Sequence, residues 1–564
     1  MDFRALVDEL LADYFRLDPV HATEIGNHDH DGTWPDLTDA GRAARFAFAE
    51  DAARRLGEVD VATLSRDDAV DHRILTDALE AMRFSEGTLE EDRWNPLVYV
   101  YVLGNGLFTL VARPFAPLPD RLRSGAARVR GVPAVLDAAR ATLSNPGERP
   151  VSRFHAEKAV ERLPGVPGLV DTLLAEVDKV EDAEVAAALR ADLEPAAAEA
   201  KAALEAFGTW LRDELLPTAS GDFRLGPALY RSKFRHALRV EMEPTELRAR
   251  ALGAFEAVRT EMHRLAADLW PTWKGDEPMP DQLDAMTRAV LDAIAADHPD
   301  AGELLDFCSE ENDRIETFCR DIGLIGLADE PLEIVWTPEF LRSSGGAMLI
   351  PPGPLDRGLS SFFAITPMPD DWTDAQRESY LREDNNRMLR LLTIHEAVPG
   401  HYLQLAYSNR CPSLVRAIFQ SGVFAEGWAV YVTQVMMDVG YGSEDPALML
   451  VHWKFYLRAI TNTMMDIAIH TGTMEREEAM KLMVEQGFQE ESEASAKWDR
   501  ARLSSTQLCE YFLGDSEMAD LEREARRRAA EAGTPFRWRP FLESVLAHGT
   551  PPTPVIRDIL FGSP

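Results

Sequence analysis

The chain has 564 residues, of which 46% are hydrophobic and 27% charged, a composition typical of globular proteins rather than of disordered chains. Its 95 acidic and 59 basic residues give a formal net charge of −36, which argues against binding to nucleic acid or to anionic membrane surfaces. The four cysteines form no CxxC pair, which argues against a zinc ribbon or a thioredoxin-type site and is typical of a reducing compartment.

Helical periodicity dominates the first half of the chain. The N-terminal segment repeats apolar residues at helical spacing between acidic ones, which predicts an amphipathic helix rather than a signal peptide and therefore a cytoplasmic protein. Further helical runs rich in Ala, Leu, Glu and Arg lie at 36–56, 66–84, 118–144, 153–216 and 244–270. We expect Pro195 to kink or divide the fourth run and a loop over 270–282. The most apolar stretch, 97–112, is interrupted by Gly and Asn and is too short to span a bilayer.

Residues 331–368 differ from this helical pattern. Three β-prone runs separated by Gly and Pro predict a small sheet of two to four strands at Glu333–Thr337, Ala347–Ile350 and Ser361–Thr366. Helical patterns resume near residue 374 and continue to the end. We therefore predict a mostly α protein, a large multi-helix body with one small β-sheet. The sequence favours one helical body over 1–564, with a division into 1–275 and 276–564 as the alternative.

The clearest chemical signal is the segment His395-Glu396-Ala397-Val398-Pro399-Gly400-His401. In the HExxH zinc motif, two histidines at i and i+4 share one helix face and the glutamate acts as a base. Here the second histidine is at i+6, about 240° away around an unbroken helix. Pro399 lacks an N–H and Gly400 tolerates unusual backbone angles. We therefore predict an irregular turn at 397–400 that brings His401 back beside His395.

A second acidic residue follows in the apolar run GVFAEGWAVYVTQVMMDVG. Glu426 lies 25 residues after His401, and a glutamate on an apolar face is costly unless it is paired or bound to a metal. A carboxylate from a later helix is the third ligand in His₂Glu zinc hydrolases. The alternative interpretation is a buried salt bridge from Glu426 to Arg416 or Arg458.

HEAVPGH followed by EGWAVY resembles the bacterial family called domain of unknown function 885. The likeness runs over most of the chain, including ADYFRLDPVHATEIGNHDHDG, and is most specific between 391 and 514. That family resembles zinc metallopeptidases of the angiotensin-converting-enzyme, neurolysin and carboxypeptidase Taq type, the gluzincins. The resemblance implies that His395, His401 and Glu426 hold Zn²⁺ and that Glu396 is the general base. The peptidases carry the compact HExxH, so the Pro-Gly insertion is a departure from their pattern.

Two later segments supply further candidates. RAITNTMMDIAIHTG places Arg458, Asp466 and His470 on one helix, with the last two at i, i+4, so that the carboxylate can orient the imidazole. SSTQLCEYFLG places Gln507 and Tyr511 at the same spacing. In the peptidases a tyrosine binds the developing oxyanion, and the resemblance implies this role for Tyr511, with His470 beside it. The alternatives are a surface pair at 466 and 470 and a core tyrosine at 511.

These observations predict a zinc hydrolase, with a metallopeptidase acting on short peptides as the favoured hypothesis. Glu396 would take the proton of a metal-activated water, and Tyr511 and His470 would stabilise the oxyanion. The 331–368 sheet would bind an extended peptide as an added strand. Two alternatives are a zinc amide hydrolase acting on a non-peptide small molecule and a non-catalytic binding protein on the same scaffold. The substrate, exo- or endo-cleavage and the oligomeric state stay open.

The cluster His28-Asp29-His30-Asp31 is interpreted as a polar turn.

Overall fold

The computed structural model describes residues 2–337, 342, 346–356 and 358–562. The predicted fold class is confirmed, since 72% of residues are helical and 3% lie in strands. The chain forms two compact units. The first unit comprises Met1–Phe223, Pro352–Leu359 and Ser413–Phe419, and the second comprises Arg224–Pro351, Ser360–Pro412 and Gln420–Pro564. The single body and the alternative division near residue 275 stay predictions.

The helices of the first unit before residue 223 are α1 Phe3–Leu17, α2 Pro19–Glu24, α3 Asp39–Gly57, α4 Arg66–Phe84, α5 Glu91–Trp94, α6 Leu97–Ala112, α7 Leu118–Leu143, α8 Arg153–Arg162, α9 Val166–Glu176, α10 Ala183–Trp210 and α11 Leu216–Thr218. The later helices are α12 Pro227–Leu238, α13 Pro244–Trp273, α14 Leu283–Ala295, α15 Leu304–Ile322, α16 Asp374–Glu383, α17 Asn386–Glu396, α18 His401–Ser408, α19 Leu414–Ile418, α20 Gly422–Asp438, α21 Pro446–His470, α22 Arg476–Met480, α23 Glu491–Leu503, α24 Glu510–Glu531, α25 Trp538–Leu546 and α26 Thr553–Phe561.

Two breaks predicted in the helical runs are wrong. Pro195 lies inside α10, where its neighbours Ala196 and Ala197 are buried, so packing outweighs one lost backbone hydrogen bond. The run 153–216 is instead divided by a short 3₁₀ helix at 163–165 and again after α9. Helix α13 continues through Pro271, and the predicted loop therefore begins at residue 274.

Helix α6 is continuous over 97–112 although it contains two glycines. A Cβ at Gly106 would lie 2.3 Å from the ring of Trp34, so this glycine admits a close contact rather than ending the helix. Within the described residues, no single helix has the length and apolar composition of a membrane span; residues 66–94 and 97–112 meet both criteria only as a pair, bent by 99°.

The segment around His28 is a partly buried ion cluster within the first unit. The imidazole Nδ1 lies 3.0 Å from a carboxylate oxygen of Asp31, and Nε2 lies 3.0 Å from one of Asp356. The ring stacks on Phe115 with a centroid distance of 3.8 Å. Burial lowers the pKa of His28, but its hydrogen bonds to the two aspartates outweigh burial and raise the pKa to about 9. The two carboxylates therefore favour the protonated imidazolium.

The predicted sheet has three strands in the described part of this region: β1 Leu332–Trp336, β2 Ala347–Ile350 and β3 Ser361–Ile365. Residues 338–341 and 343–345, within the segment assigned to the sheet, lie outside the described residues. The central strand β3 pairs in parallel with β1 and antiparallel with β2. Phe363 and Ile365 of β3 pack in a core with Leu389 and Ala397, which places the sheet against α17 and the turn after it.

Candidate metal centre

The junction between α17 and α18 interrupts the helix where the Pro-Gly pair predicts it. Helix α17 ends at Glu396 and α18 begins at His401. The Gly400 amide donates to the Ile394 carbonyl at 3.0 Å, and a Cβ at this position would lie 1.9 Å from the His395 carbonyl oxygen. The indole Nε1 of Trp428 donates to the Pro399 carbonyl at 2.9 Å. The turn is therefore tight, requires glycine, and is anchored to α20.

This turn brings the three candidate ligands together. The Nε2 atoms of His401 and His395 lie 3.4 and 4.0 Å from the Glu426 Oε2. The two imidazole rings are 4.8 Å apart and almost perpendicular. One ligand atom from each residue lies within 4.8 Å of the other two, and no second group of this kind occurs among the residues that the structure describes.

The spacing and chemistry of these atoms fit zinc. Ligand atoms at about 2.1 Å from a tetrahedral metal are separated by about 3.4 Å, which is close to the observed separations of Glu426 from the two histidines. Two imidazoles and one carboxylate are a common catalytic zinc set, and they leave the fourth position open for water or substrate. The arrangement can therefore hold a metal ion with one position accessible to a reactant.

The position of Glu426 depends on a close contact between α20 and α24. A Cβ at Gly427 would lie 2.3 Å from the Gly514 Cα, and a Cβ at Gly514 would lie 2.0 Å from the Val423 carbonyl oxygen. Only glycine at both positions permits this approach of the two backbones. The contact brings Glu426, next to Gly427, and Tyr511, one turn before Gly514, to the same region.

The three candidate ligands line a cavity of about 360 Å³ within the second unit. Glu396 and Tyr511 line the same cavity, as do residues 347–349 of β2. Apolar side chains also contribute to the wall, namely Leu392, Leu405, Val430 and Phe455. The Leu349 backbone amide donates a hydrogen bond to the Glu396 carboxylate. The sheet therefore contributes both a wall of the cavity and a contact to the candidate base.

Burial and mutual charge shift the pKa values of these groups. Burial and the neighbouring His401 lower the pKa of His395 to about 3, so its imidazole is neutral and able to bind a metal. Burial lowers the pKa of His401, but its hydrogen bond to Glu426 outweighs this effect and the net pKa is raised. Burial raises the pKa of Glu426, and His401 reverses this shift, so that its carboxylate stays charged. Burial raises the pKa of Glu396 to about 7.

The Tyr511 hydroxyl accepts two hydrogen bonds, one from Arg500 Nη2 at 2.9 Å and one from Gln507 Nε2 at 3.3 Å. Burial and the charge of Glu426 raise the pKa of Tyr511, which keeps the phenol protonated. Because both neighbours donate to the phenol oxygen, its own proton is available for a third partner in the cavity. The geometry thus leaves Tyr511 able to donate to a bound oxygen.

His470 does not line this cavity, and its expected role in stabilising the oxyanion is corrected. Its ring Nε2 lies 2.9 Å from the carbonyl oxygens of both Ala501 and Ser504, and the ring stacks on Tyr230. Both His470 and Asp466 are buried, so the alternative of a surface pair is wrong as well. The i, i+4 pair faces a packed interior, where the histidine ties α21 to the end of α23.

Glu426 also does not form the buried salt bridge to Arg416 or Arg458 that was the alternative interpretation. Arg416 pairs with two aspartates within the first unit, at 2.7 and 3.0 Å. Arg458 pairs with Glu493 at 2.7 Å and with Glu383 at 3.5 Å. Both arginines thus have other carboxylate partners, while the neighbours of Glu426 are the two histidines.

Two charged cavity residues were not predicted from the sequence. Lys497 and Arg500 lie on α23 and face the cavity together with Arg458. Their segment, EASAKWDRARL, alternates charges as an exposed helix does, and nothing in its spacing distinguishes an inward-facing cation from a solvated one.

Residues 19–560 match the model of the family described as "Bacterial protein of unknown function (DUF885)", and the chain belongs to this family. Its fold is similar to that of a "putative lipoprotein of unknown function" from Shewanella oneidensis, with 31% identity, a TM-score of 0.84, and coverage of 99% of this chain and 100% of the other. A "putative lipoprotein" from Colwellia psychrerythraea shares the fold at 16% identity and a TM-score of 0.79, with coverage of 98% and 97%. No curated protein matches the chain.

Proposed function

We propose that this chain is a zinc-dependent hydrolase that cleaves an amide bond in short peptides. The observation that carries the proposal is the convergence of His395, His401 and Glu426 in the cavity that Glu396 also lines. Gluzincin metallopeptidases use a set of this kind: two histidines, a glutamate from a later helix, and a glutamate directly after the first histidine.

Zinc held by the three side chains would lower the pKa of a water molecule and polarise the scissile carbonyl. Glu396 lies beside the ligands without being one of them, and its carboxylate takes the proton of that water and passes it to the leaving nitrogen. Tyr511 donates a hydrogen bond from its hydroxyl to the carbonyl oxygen as negative charge develops there. The water oxygen bonds to the carbonyl carbon, the C–N bond breaks, and a carboxylate and an amine leave.

Strand β2 offers a way to hold an extended peptide. It pairs with β3 on one side and lies at an edge of the three described strands, and three of its four residues line the cavity. A peptide added beside β2 would gain main-chain hydrogen bonds with little dependence on sequence. This placement favours peptides over other amides as substrates.

Elemental analysis of the purified protein, combined with turnover of dipeptides, tripeptides and N-acyl amides, tests the proposal. We expect one zinc per chain and release of amino acids from peptides. Zinc with turnover of acyl amides alone would favour an amide hydrolase of non-peptide molecules. Protein that binds no zinc and hydrolyses nothing, after incubation with zinc, would favour the non-catalytic binding protein.

A further inference from the structure

Helix α21 contributes to the cavity wall a side-chain amide that has no hydrogen-bond partner in the described part of the chain. The residues of α21 that line the cavity lie at i, i+3, i+4 and i+7 and therefore share one helix face, namely Phe455, Arg458, Ala459 and Asn462. Asn462 is only 5% exposed. Its Oδ1 is buried without a partner, and its Nδ2 donates to no residue that the structure describes.

Other buried amides show that this arrangement is unusual within the described residues. The side-chain oxygens of Asn312, Gln404 and Gln489 are also buried without a partner. In each of these three residues, however, the nitrogen donates to a neighbouring side chain, at 3.2, 2.7 and 3.4 Å respectively. None of the three lines the cavity. Asn462 alone among these four amides combines two unpartnered polar atoms with a position in the cavity wall.

Neither the helix nor its packing accounts for an asparagine at this position. Residue 462 lies inside the 25-residue helix α21, where asparagine is less favourable than leucine because its side chain competes for backbone hydrogen bonds. A buried amide without a partner also destabilises the folded chain, since it has left water without replacing its hydrogen bonds. A ligand in the cavity that both donates and accepts hydrogen bonds would remove the second cost.

We propose that Asn462 binds the main chain of the substrate: its side-chain oxygen accepts from the N–H of one residue, and its nitrogen donates to the C=O of that same residue. In an extended chain these two groups point to the same side, as they do in the hydrogen-bonded pairs of an antiparallel sheet. A side-chain amide carries an acceptor and two donors in one plane and therefore matches both groups. This inference rests on the proposed hydrolase function and names its substrate class.

The contact defines which substrates fit. The residue bound by Asn462 needs an N–H, so proline, an N-methylated residue or an ester at this position loses one of the two hydrogen bonds. The N–H and C=O of the next residue point to the opposite side, where they are free to pair with an edge strand such as β2. We therefore expect an extended, unmodified peptide at Asn462, with selection acting on the backbone rather than on the side chain.

Calorimetry with ester analogues tests this contact without any turnover. The Glu396→Gln protein, incubated with zinc, is titrated with tetraalanine and with the three analogues in which one peptide N–H is replaced by an ester oxygen. All four ligands carry the same charged ends, so their differences report the replaced peptide group. At least one ester should bind about 2- to 10-fold more weakly, the range for one neutral hydrogen bond. Adding Asn462→Leu should abolish the penalty at one position and leave the others unchanged, because leucine has a similar shape and no polar atoms.

Gln489→Leu is the matched control, because Gln489 is a fully buried amide that does not line the cavity. It should keep every ester penalty of the Glu396→Gln protein. Asn462→Leu should unfold at no lower a temperature than that protein, since it removes an unpartnered buried amide. Asn462→Ala repeats the comparison with a side chain that cannot clash with its neighbours.

Ester penalties that survive both substitutions of Asn462 unchanged would overturn the contact, and so would a protein that binds no tetraalanine. An asparagine-dependent penalty, where the natural chain hydrolyses no peptide, would support the contact while refuting the hydrolase. Hydrolysis of peptides by the natural chain, with ester penalties independent of Asn462, would refute the contact and leave the hydrolase in place.

Discussion

Glu396→Gln separates metal binding from proton transfer. Glutamine matches glutamate in size, and its side-chain oxygen can still accept the hydrogen bond from the Leu349 amide. Glu396 is not one of the three converging ligands, so the variant should keep one zinc per chain and an unchanged melting temperature. What it loses is the ability to accept a proton. Loss of a general base costs about 10²- to 10⁴-fold in kcat, or about 2.7–5.4 kcal/mol in the activation barrier.

The assay measures kcat on the best peptide of the library beside zinc content by mass spectrometry. Glu517→Gln is the matched control: burial raises the pKa of Glu517 to about 7, as it raises that of Glu396, but Glu517 does not line the cavity. The control should keep kcat within about threefold of the natural chain, as expected for a residue outside the transition state. A Glu396→Gln variant with full zinc and near-normal kcat would remove Glu396 from the mechanism.

Four further predictions test the rest of the site and the fold. Glu426→Ala should lose bound zinc, since two histidines alone leave the ion one protein ligand short; stoichiometric zinc in this variant would place the third ligand elsewhere. Tyr511→Phe should lower kcat by about 10²- to 10³-fold with zinc unchanged, and an unaltered kcat would return this tyrosine to a purely structural role. Gly400→Ala forces a Cβ against the His395 carbonyl, so urea denaturation should show a loss of about 1–3 kcal/mol in unfolding free energy, and an equally stable variant would contradict the tight turn. The pKa of His28 is raised to about 9, so its ion pairs stabilise the protein fully below about pH 6.5 and are lost as the pH rises to about 9; the melting temperature should fall more steeply over this window in the natural chain than in His28→Gln. An identical pH profile in the two proteins would contradict this assignment.

The parts of the fold that sequence predicted depend on local patterns. The bounds of α4 and β2 coincide with the predicted runs 66–84 and 347–350, because helical and strand periodicities are properties of neighbouring residues. The Pro399-Gly400 turn was predictable for the same reason, since a missing donor and a missing Cβ act within one turn of helix.

The features that could not be predicted from the sequence are those that depend on packing between distant elements. A proline inside a helix predicts a break, yet α10 continues through Pro195 because its buried neighbours hold the helix. His470 has the spacing of an oriented catalytic histidine, but whether an i, i+4 pair faces a cavity or a packed interior depends on the rotation of α21 against α23. The same argument applies to Lys497, whose inward orientation is fixed by α23 packing and not by its neighbours in sequence.

The two histidines converge despite the Pro-Gly insertion because helix α20, which also carries Glu426, supports the turn between them. In a compact HExxH motif, one helix alone sets the spacing of its two histidines. Here the spacing depends on a turn, and that turn is bonded to Trp428, two residues after Glu426 on α20. The same helix is fixed against α24 through Gly427 and Gly514. Any displacement of α20 would therefore move Glu426 and the support of the turn before His401 together, so the positions of these two candidate ligands are coupled through one helix.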